Sequence, residues 1–359
     1  MIRKTEGIGF FPKNLFYHGK KYIYLRKIEV DSSGIRNQNK KREMKAVALK
    51  GRNIRIEERP DPVPAKGEAL IKVTKAGICN TDLELVKGYM NFEGILGHEF
   101  VGRVVEASEK EWIGNRVVGE INIPCGQCEI CLGGDPKHCP SRKVLGIHQK
   151  DGVFAEYVTL PLENLHVLPS NVSDAEAVFV EPLAAAIAIF DQICPGLNND
   201  VLILGDGKLG LLAAQVMQTR SPNIFCVGHH PGKLALIEKR GILTAHDARK
   251  WDRKFDFVVE ATGNPKGIEE ALCFIKPKGK IVAKSTYYGL AKIDISTLVV
   301  NEIQLLGSRC GSFANALEFL KNESVELEKM VDADFPLEDV QKAFDRAKNP
   351  EVIKVLLTP

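Results

Sequence analysis

The stretch VLILGDGKLG, residues 201–210, decides the architecture. VLIL reads as a strand, glycines follow at 205, 207 and 210, and KLGLLAAQVMQ behind them reads as a helix. A lone glycine triplet of this spacing is a weak signal. Between a strand and a helix it is a strong one, because the glycines let the backbone approach a pyrophosphate whose charge sits at the helix N-terminus. Gly205, Gly207, Lys208, Leu209 and Gly210 are therefore candidate dinucleotide-binding residues.

Downstream, strand and helix keep alternating. NIFCVG, FDFVVEA, GKIVAK and IQLLGS read as strands; GKLALIEKRG and GIEEALCFI read as helices. This is the pattern of a doubly wound parallel sheet. It opens near residue 170, where Ser173 and Glu176 in SDAE form a capping box. Upstream the texture is β-rich, with KAVALK, IRIEER, ALIKVTKAG, GRVVEAS and FAEYVTLP as short strands broken by turn signals such as PDPVPAKG. The tail adds helices at NALEFL and LEDVQKAFDRA and a last strand, VIKVLL. The fold class is α/β: a β-rich domain over 44–168 and 311–359, with a lobe at 124–140, and a Rossmann-type domain over 169–310.

The chain has 359 residues and a net charge of +3. Residues 1–43 hold 11 Lys and Arg against 4 Asp and Glu, whereas the remainder holds 38 against 42. The bulk of the chain thus lacks a basic footprint for nucleic acid. The basic head reads as a disordered, solvated tail, with an organelle transit peptide as the alternative. The longest apolar stretch, VFVEPLAAAIAIF, is too short to span a membrane and carries Glu181 and Pro182. Nine cysteines without a secretion signal read as reduced thiols, which favours a cytoplasmic location.

The end of the strand after the glycine-rich turn bears on cofactor choice. An acid there hydrogen-bonds the adenine ribose 2′-hydroxyl and repels a 2′-phosphate. IFCVGHHPGKL offers Gly228 instead, then His229 and His230, with Lys233 nearby. The residues favour NADP(H), with NAD as the alternative.

Two groups of residues carry metal chemistry. ICNTDLE supplies Cys79, Thr81, Asp82 and Glu84, and GILGHEFVG supplies His98 and Glu99 nineteen residues after the cysteine. Thiolate, imidazole and carboxylate form the ligand set of catalytic zinc, and Glu181, an acid in the most apolar stretch, is a third ligand candidate. Separately, Cys125, Cys128, Cys131 and Cys139 stand in a C-x2-C-x2-C-x7-C pattern. Four sulfurs leave no open position, so this reads as structural zinc. An iron–sulfur cluster is the rival, but the fourth spacing is seven rather than three and no second run shares it.

ICNTD, GILGHEFVG, the four-cysteine lobe, VEPLA and GDGKLG occur in the order found in zinc-dependent alcohol dehydrogenases of the medium-chain dehydrogenase/reductase family. The chain resembles that family over residues 44–359, most of all its polyol, threonine and glucose dehydrogenase branch, because Glu181–Pro182 stands where other members have a cysteine. The resemblance implies a GroES-like catalytic domain beside the Rossmann domain, and hydride exchange between a secondary alcohol or polyol and NAD(P). It further implies that Cys79, His98 and Glu181 bind catalytic zinc, that Glu99 exchanges onto it, that Thr81 passes the alcohol proton outward, and that Asp82 orients His98. Close members carry a histidine where this chain has Glu84, so Glu84 is left without a role. The substrate is a small alcohol or carbonyl, and family members are homodimers or homotetramers, with IQLLGS a strand able to pair across subunits. Tyr89, Met90 and Phe92 read as core packing before pocket lining. The rival readings are a metal-free NADPH reductase of quinones or enones, which needs neither metal site, and a non-catalytic nucleotide-binding protein of the same fold.

Overall fold

The computed structural model describes residues 43–287 and 290–359. The reading of the basic head as a tail or transit peptide lies outside these residues.

The strand Glu68–Gly77 is the spine of the first sheet. Ala69, Ile71 and Val73 point into the core while Lys72 is exposed, the period-two alternation of a half-buried strand. It pairs antiparallel with Glu99–Ala107, with Tyr157–Pro161 and with the last strand of the chain, Val355–Thr358. That last strand in turn pairs parallel with Ala333–Pro336. The C-terminus therefore completes a sheet begun almost 300 residues earlier. Its core includes Phe154 and Phe344, packed edge to face with centroids 6.2 Å apart.

The second sheet has six strands, all parallel. Their spatial order is Leu243–Ala245, Ile224–Val227, Val201–Leu204, Phe255–Glu260, Ile275–Ala283 and Gln304–Gly307. In chain order this is 3-2-1-4-5-6, so the winding reverses at Val201–Leu204 and opens a crevice at its carboxyl end. All four residues of that strand are buried: Val201 and Ile203 join one apolar cluster, Leu202 and Leu204 another. Both faces are covered, as a parallel sheet requires.

Helix Val180–Ile193 ties the two sheets together. Its apolar face shares one cluster with Val101, Val118 and Leu356 of the first sheet and with Val201 and Ile203 of the second. The Ser173–Glu176 capping box fixes the short helix just before it, with the Ser173 amide donating to Glu176 at 2.9 Å. Among the described residues, no helix is long and apolar enough to cross a membrane.

Candidate active site

The carboxyl end of the spine strand delivers the first site residues. Cys79 caps helix Asn80–Val86, and its backbone amide donates to Asp82 Oδ2 at 2.8 Å. Asp82 is wholly buried, and its other oxygen lies 3.5 Å from His98 Nδ1, a long contact without a directed hydrogen bond. His98 enters through Gly97, which turns the chain at φ +94°; a side chain there would strike the Phe154 ring. Donor atoms of Cys79, His98 and Glu99 lie within 4.8 Å of one another. Glu181, in the first turn of helix Val180–Ile193, stands outside that cluster but close enough for the charges of His98 and Cys79 to act on it.

Electrostatics bind these groups into one unit. Burial pushes the Cys79 thiol up, but the Lys208 ammonium and the His98 ring more than offset it and bring it down to about 5. Burial disfavours charge on His98, yet Asp82 and Cys79 raise it well above the ordinary histidine value. Burial also pushes Glu181 up. The donor set fits a divalent cation: a thiolate and a ring nitrogen face each other, sharing a proton where a metal ion can bind thiolate and neutral imidazole. Such an ion would also neutralise Glu181, a carboxylate in an apolar helix.

Glu99 stands with Cys79 and His98 in the donor cluster and is also engaged by two ammonium groups. Lys208 Nζ meets its Oε1 at 2.5 Å, and Lys354 Nζ meets Oε2 as an ion pair without a directed hydrogen bond. Lys208, read from sequence as a cofactor residue, thus sends its side chain from the glycine-rich turn onto the carboxylate next to His98. Its backbone opens the helix Lys208–Gln218 behind Gly207. Leu209 packs partly into the core, and a side chain on Gly210 would collide with the Gly205 carbonyl.

Sequence reading missed three residues here. Lys354 is a charged residue inside the apolar run VIKVLL, which is a visible signal. Lys284 follows the carboxyl end of a parallel strand, where ligands bind; burial brings it down to about 8 against the opposing charges of Cys310 and Glu181. Asp206 lies inside the glycine-rich turn and bonds His230. Of the other candidates, Thr81 Oγ1 is 3.8 Å from Cys79 Sγ. His229 is exposed, Gly228 and Lys233 are buried, and Glu84 pairs with Lys87 at 2.7 Å. Phe92 is in the core, while Tyr89 and Met90 are on the surface. Cavities of about 570 and 1160 Å³ adjoin the site: Cys79, Lys208 and Lys233 line the first, Lys284, Arg309 and Cys310 the second.

The four lobe cysteines also converge within 4.8 Å. Cys128 is 3.4 Å from Cys131 and 3.9 Å from Cys139, and Cys125 is 4.0 Å from Cys131. Four sulfurs ~2.3 Å from a tetrahedral ion stand ~3.8 Å apart, whereas a disulfide needs ~2.05 Å. All nine cysteines are free. Backbone amides of Gln127 and Cys128 lower the Cys125 thiol, whereas burial and the neighbouring thiols raise that of Cys131. The lobe fits structural zinc.

Residues 65–170 match the family described as alcohol dehydrogenase GroES-like domain, and residues 177–358 match glucose dehydrogenase C-terminus. A sorbitol dehydrogenase of Halalkalibacterium halodurans is 31% identical over 327 residues, covering 85% of this chain and 95% of that one. An erythritol/L-threitol dehydrogenase of Mycolicibacterium smegmatis is 29% identical, covering 88% and 98%. An Escherichia coli alcohol dehydrogenase solved with NADH superposes with a TM-score of 0.83 at 26% identity, covering 88% and 99%. A zinc-binding dehydrogenase of Sinorhizobium meliloti solved with NADP gives 0.80 at 27%, covering 89% and 100%. Two family matches that tile the chain, on a fold carrying both zinc donor sets and the glycine-rich crevice, leave one conclusion: the chain belongs to the zinc-type medium-chain dehydrogenase/reductase family, in its polyol dehydrogenase branch, and is a zinc-dependent, NAD(P)-linked oxidoreductase.

Proposed function

We propose that the enzyme oxidises a secondary hydroxyl of a small polyol, and in reverse reduces the matching carbonyl. The observation that carries this reading is the convergence of half-buried Cys79 with buried His98, beside Lys208, which reaches from the glycine-rich turn onto Glu99. Cys79, His98 and Glu181 would hold the catalytic ion. Glu99 is engaged by two ammoniums, so it would reach the metal only by releasing Lys208. Asp82 holds the Cys79 backbone through one oxygen and faces His98 Nδ1 with the other, which would leave Nε2 as the ring nitrogen for a metal ion. Zinc bound in this place would supply Lewis acidity to the substrate oxygen, and a bound dinucleotide would supply hydride exchange. Thr81, at the start of its helix beside Cys79, takes the hydroxyl proton outward through its own Oγ1. The four lobe cysteines would hold the second, structural ion.

The residues divide into a catalytic domain, 44–168 with 311–359, and a cofactor domain, 169–310. Zinc analysis with an alcohol panel tests the assignment. The purified protein should carry about two zinc ions per chain and a Cys128→Ser variant about one, and C4–C6 polyols should be oxidised faster than primary alcohols. A zinc-free protein with full turnover, or one inert to every polyol and secondary alcohol, would overturn it.

The protein further reads as a homodimer, or a tetramer built of such dimers. Gln304–Gly307 is an edge strand, and Leu305, Ile295, Val299 and Val300 beside it are exposed. Sedimentation should show a dimer that Leu305→Lys with Val299→Lys converts to a monomer; an unchanged mass would remove this edge from the interface. Nine free thiols suit a reducing compartment such as the cytoplasm. Fractionation that places the protein in an organelle would reject that location in favour of the transit-peptide alternative.

A further inference from the structure

The strand Ile224–Val227 ends on Gly228, so the position that ordinarily supplies an acid to the adenine ribose has no side chain. On sequence grounds that absence favours NADP(H). The tertiary structure puts a carboxylate there from another direction. Asp206, the second residue of GDGKLG, packs against the strand end at Gly228 and His230. It is buried, at 6% exposure. Its Oδ2 accepts from the His230 backbone amide at 2.7 Å, and both oxygens lie 3.0 Å from His230 Nδ1. A Cβ built on Gly228 would collide with Cβ, Cγ and Oδ2 of Asp206. The ground from which an acid at 228 would grow is therefore already held by the Asp206 side chain. Glycine at the strand end leaves room that the aspartate of the turn fills, so the loop places a carboxylate where the strand has none.

We infer that Asp206 is the group that recognises the adenine ribose and makes this enzyme select NAD over NADP. The inference rests on the proposed dinucleotide crevice and assigns its discriminating residue. A carboxylate accepts about four hydrogen bonds, and His230 occupies only part of that capacity, so lone pairs remain for ribose hydroxyls. Burial pushes Asp206 up, but the His230 hydrogen bonds and the charges of His230 and Lys233 bring it below the usual carboxylate value, so it stays anionic near neutral pH. A 2′-phosphate would meet this charge at close range. The cations that could welcome a phosphate are otherwise disposed. His229 points to solvent, His230 Nδ1 is turned to Asp206, and Lys233 is buried with Asp206, Glu351 and Asp332 acting on it.

Equilibrium titration of the zinc-loaded protein with NADH and with NADPH, read by nicotinamide fluorescence without substrate, tests this independently of turnover. The wild-type protein should bind NADH at least about tenfold more tightly. Asp206→Asn, which keeps the shape and removes the charge, should shrink that ratio about tenfold, chiefly by strengthening NADPH. His230→Gln should leave the ratio within about threefold; if it reproduced the Asp206→Asn effect, Asp206 would be only a prop for the loop and the inference would fail. Wild-type preference for NADPH, or a ratio unmoved in Asp206→Asn, would also overturn it. The wild-type comparison decides by itself if Asp206→Asn does not fold. Failure to bind either dinucleotide would sink the crevice assignment itself, and this inference with it.

Discussion

Replacing Cys79 with serine is expected to lower kcat/KM by at least about a thousandfold, roughly 4 kcal/mol of lost transition-state stabilisation. Lys208 and His98 make the Cys79 thiol acidic against the burial that opposes it. A serine hydroxyl in the same place does not ionise under that field, so the site loses its thiolate donor and keeps one ring nitrogen and a carboxylate. Zinc content should fall from about two to about one per chain, because the lobe cysteines are separate from this centre. NADH affinity should stay within about threefold, because the glycine-rich turn does not depend on the thiol. Retention of more than about a tenth of the turnover with one zinc per chain would refute the assignment of the catalytic centre.

The second large effect concerns stability. Lys354 and Glu99 both have fully buried side chains and meet as an ion pair, with Lys354 also 5.3 Å from the Phe179 ring centroid. Burial pushes Lys354 down to about 8, with the charges of Cys79 and Asp82 acting the other way. Removing one partner of a buried pair leaves the other uncompensated, a cost of about 3–5 kcal/mol. Lys354→Met should fall at the lower end of that range, because Lys208 still holds the other Glu99 oxygen. Urea unfolding measures it. Adding Glu99→Gln to Lys354→Met should recover at least about half of the loss, because the stranded charge is then gone. A single-variant loss below about 0.5 kcal/mol would mean that the pair contributes nothing to the folded state.

How far the sequence could be read depends on distance along the chain. VLILGDGKLG was legible because strand, turn and helix are set by neighbours a few residues apart, and the parallel sheet follows from their repetition. The lobe was legible because its four cysteines lie within fifteen residues and their spacing is itself the signal. Cys79 and His98 could be paired through the motifs around them. Lys354 could have been suspected, since an ammonium in VIKVLL needs a partner, but nothing local names Glu99 as that partner. Lys208 was visible only as part of a phosphate-binding turn; its side chain crosses to a residue 109 positions away.

The sequence by itself determined the β-rich and Rossmann-type halves, the glycine-rich turn, the cysteine lobe and the residue types of the metal centre, because each is written in local periodicity or short spacing. Only the tertiary structure decided which charges meet: Glu99 between Lys208 and Lys354, and Asp206 in the space a Gly228 side chain would need. Charge pairing is short-ranged in space yet indifferent to separation along the chain, so these contacts exist only once the sheets have closed.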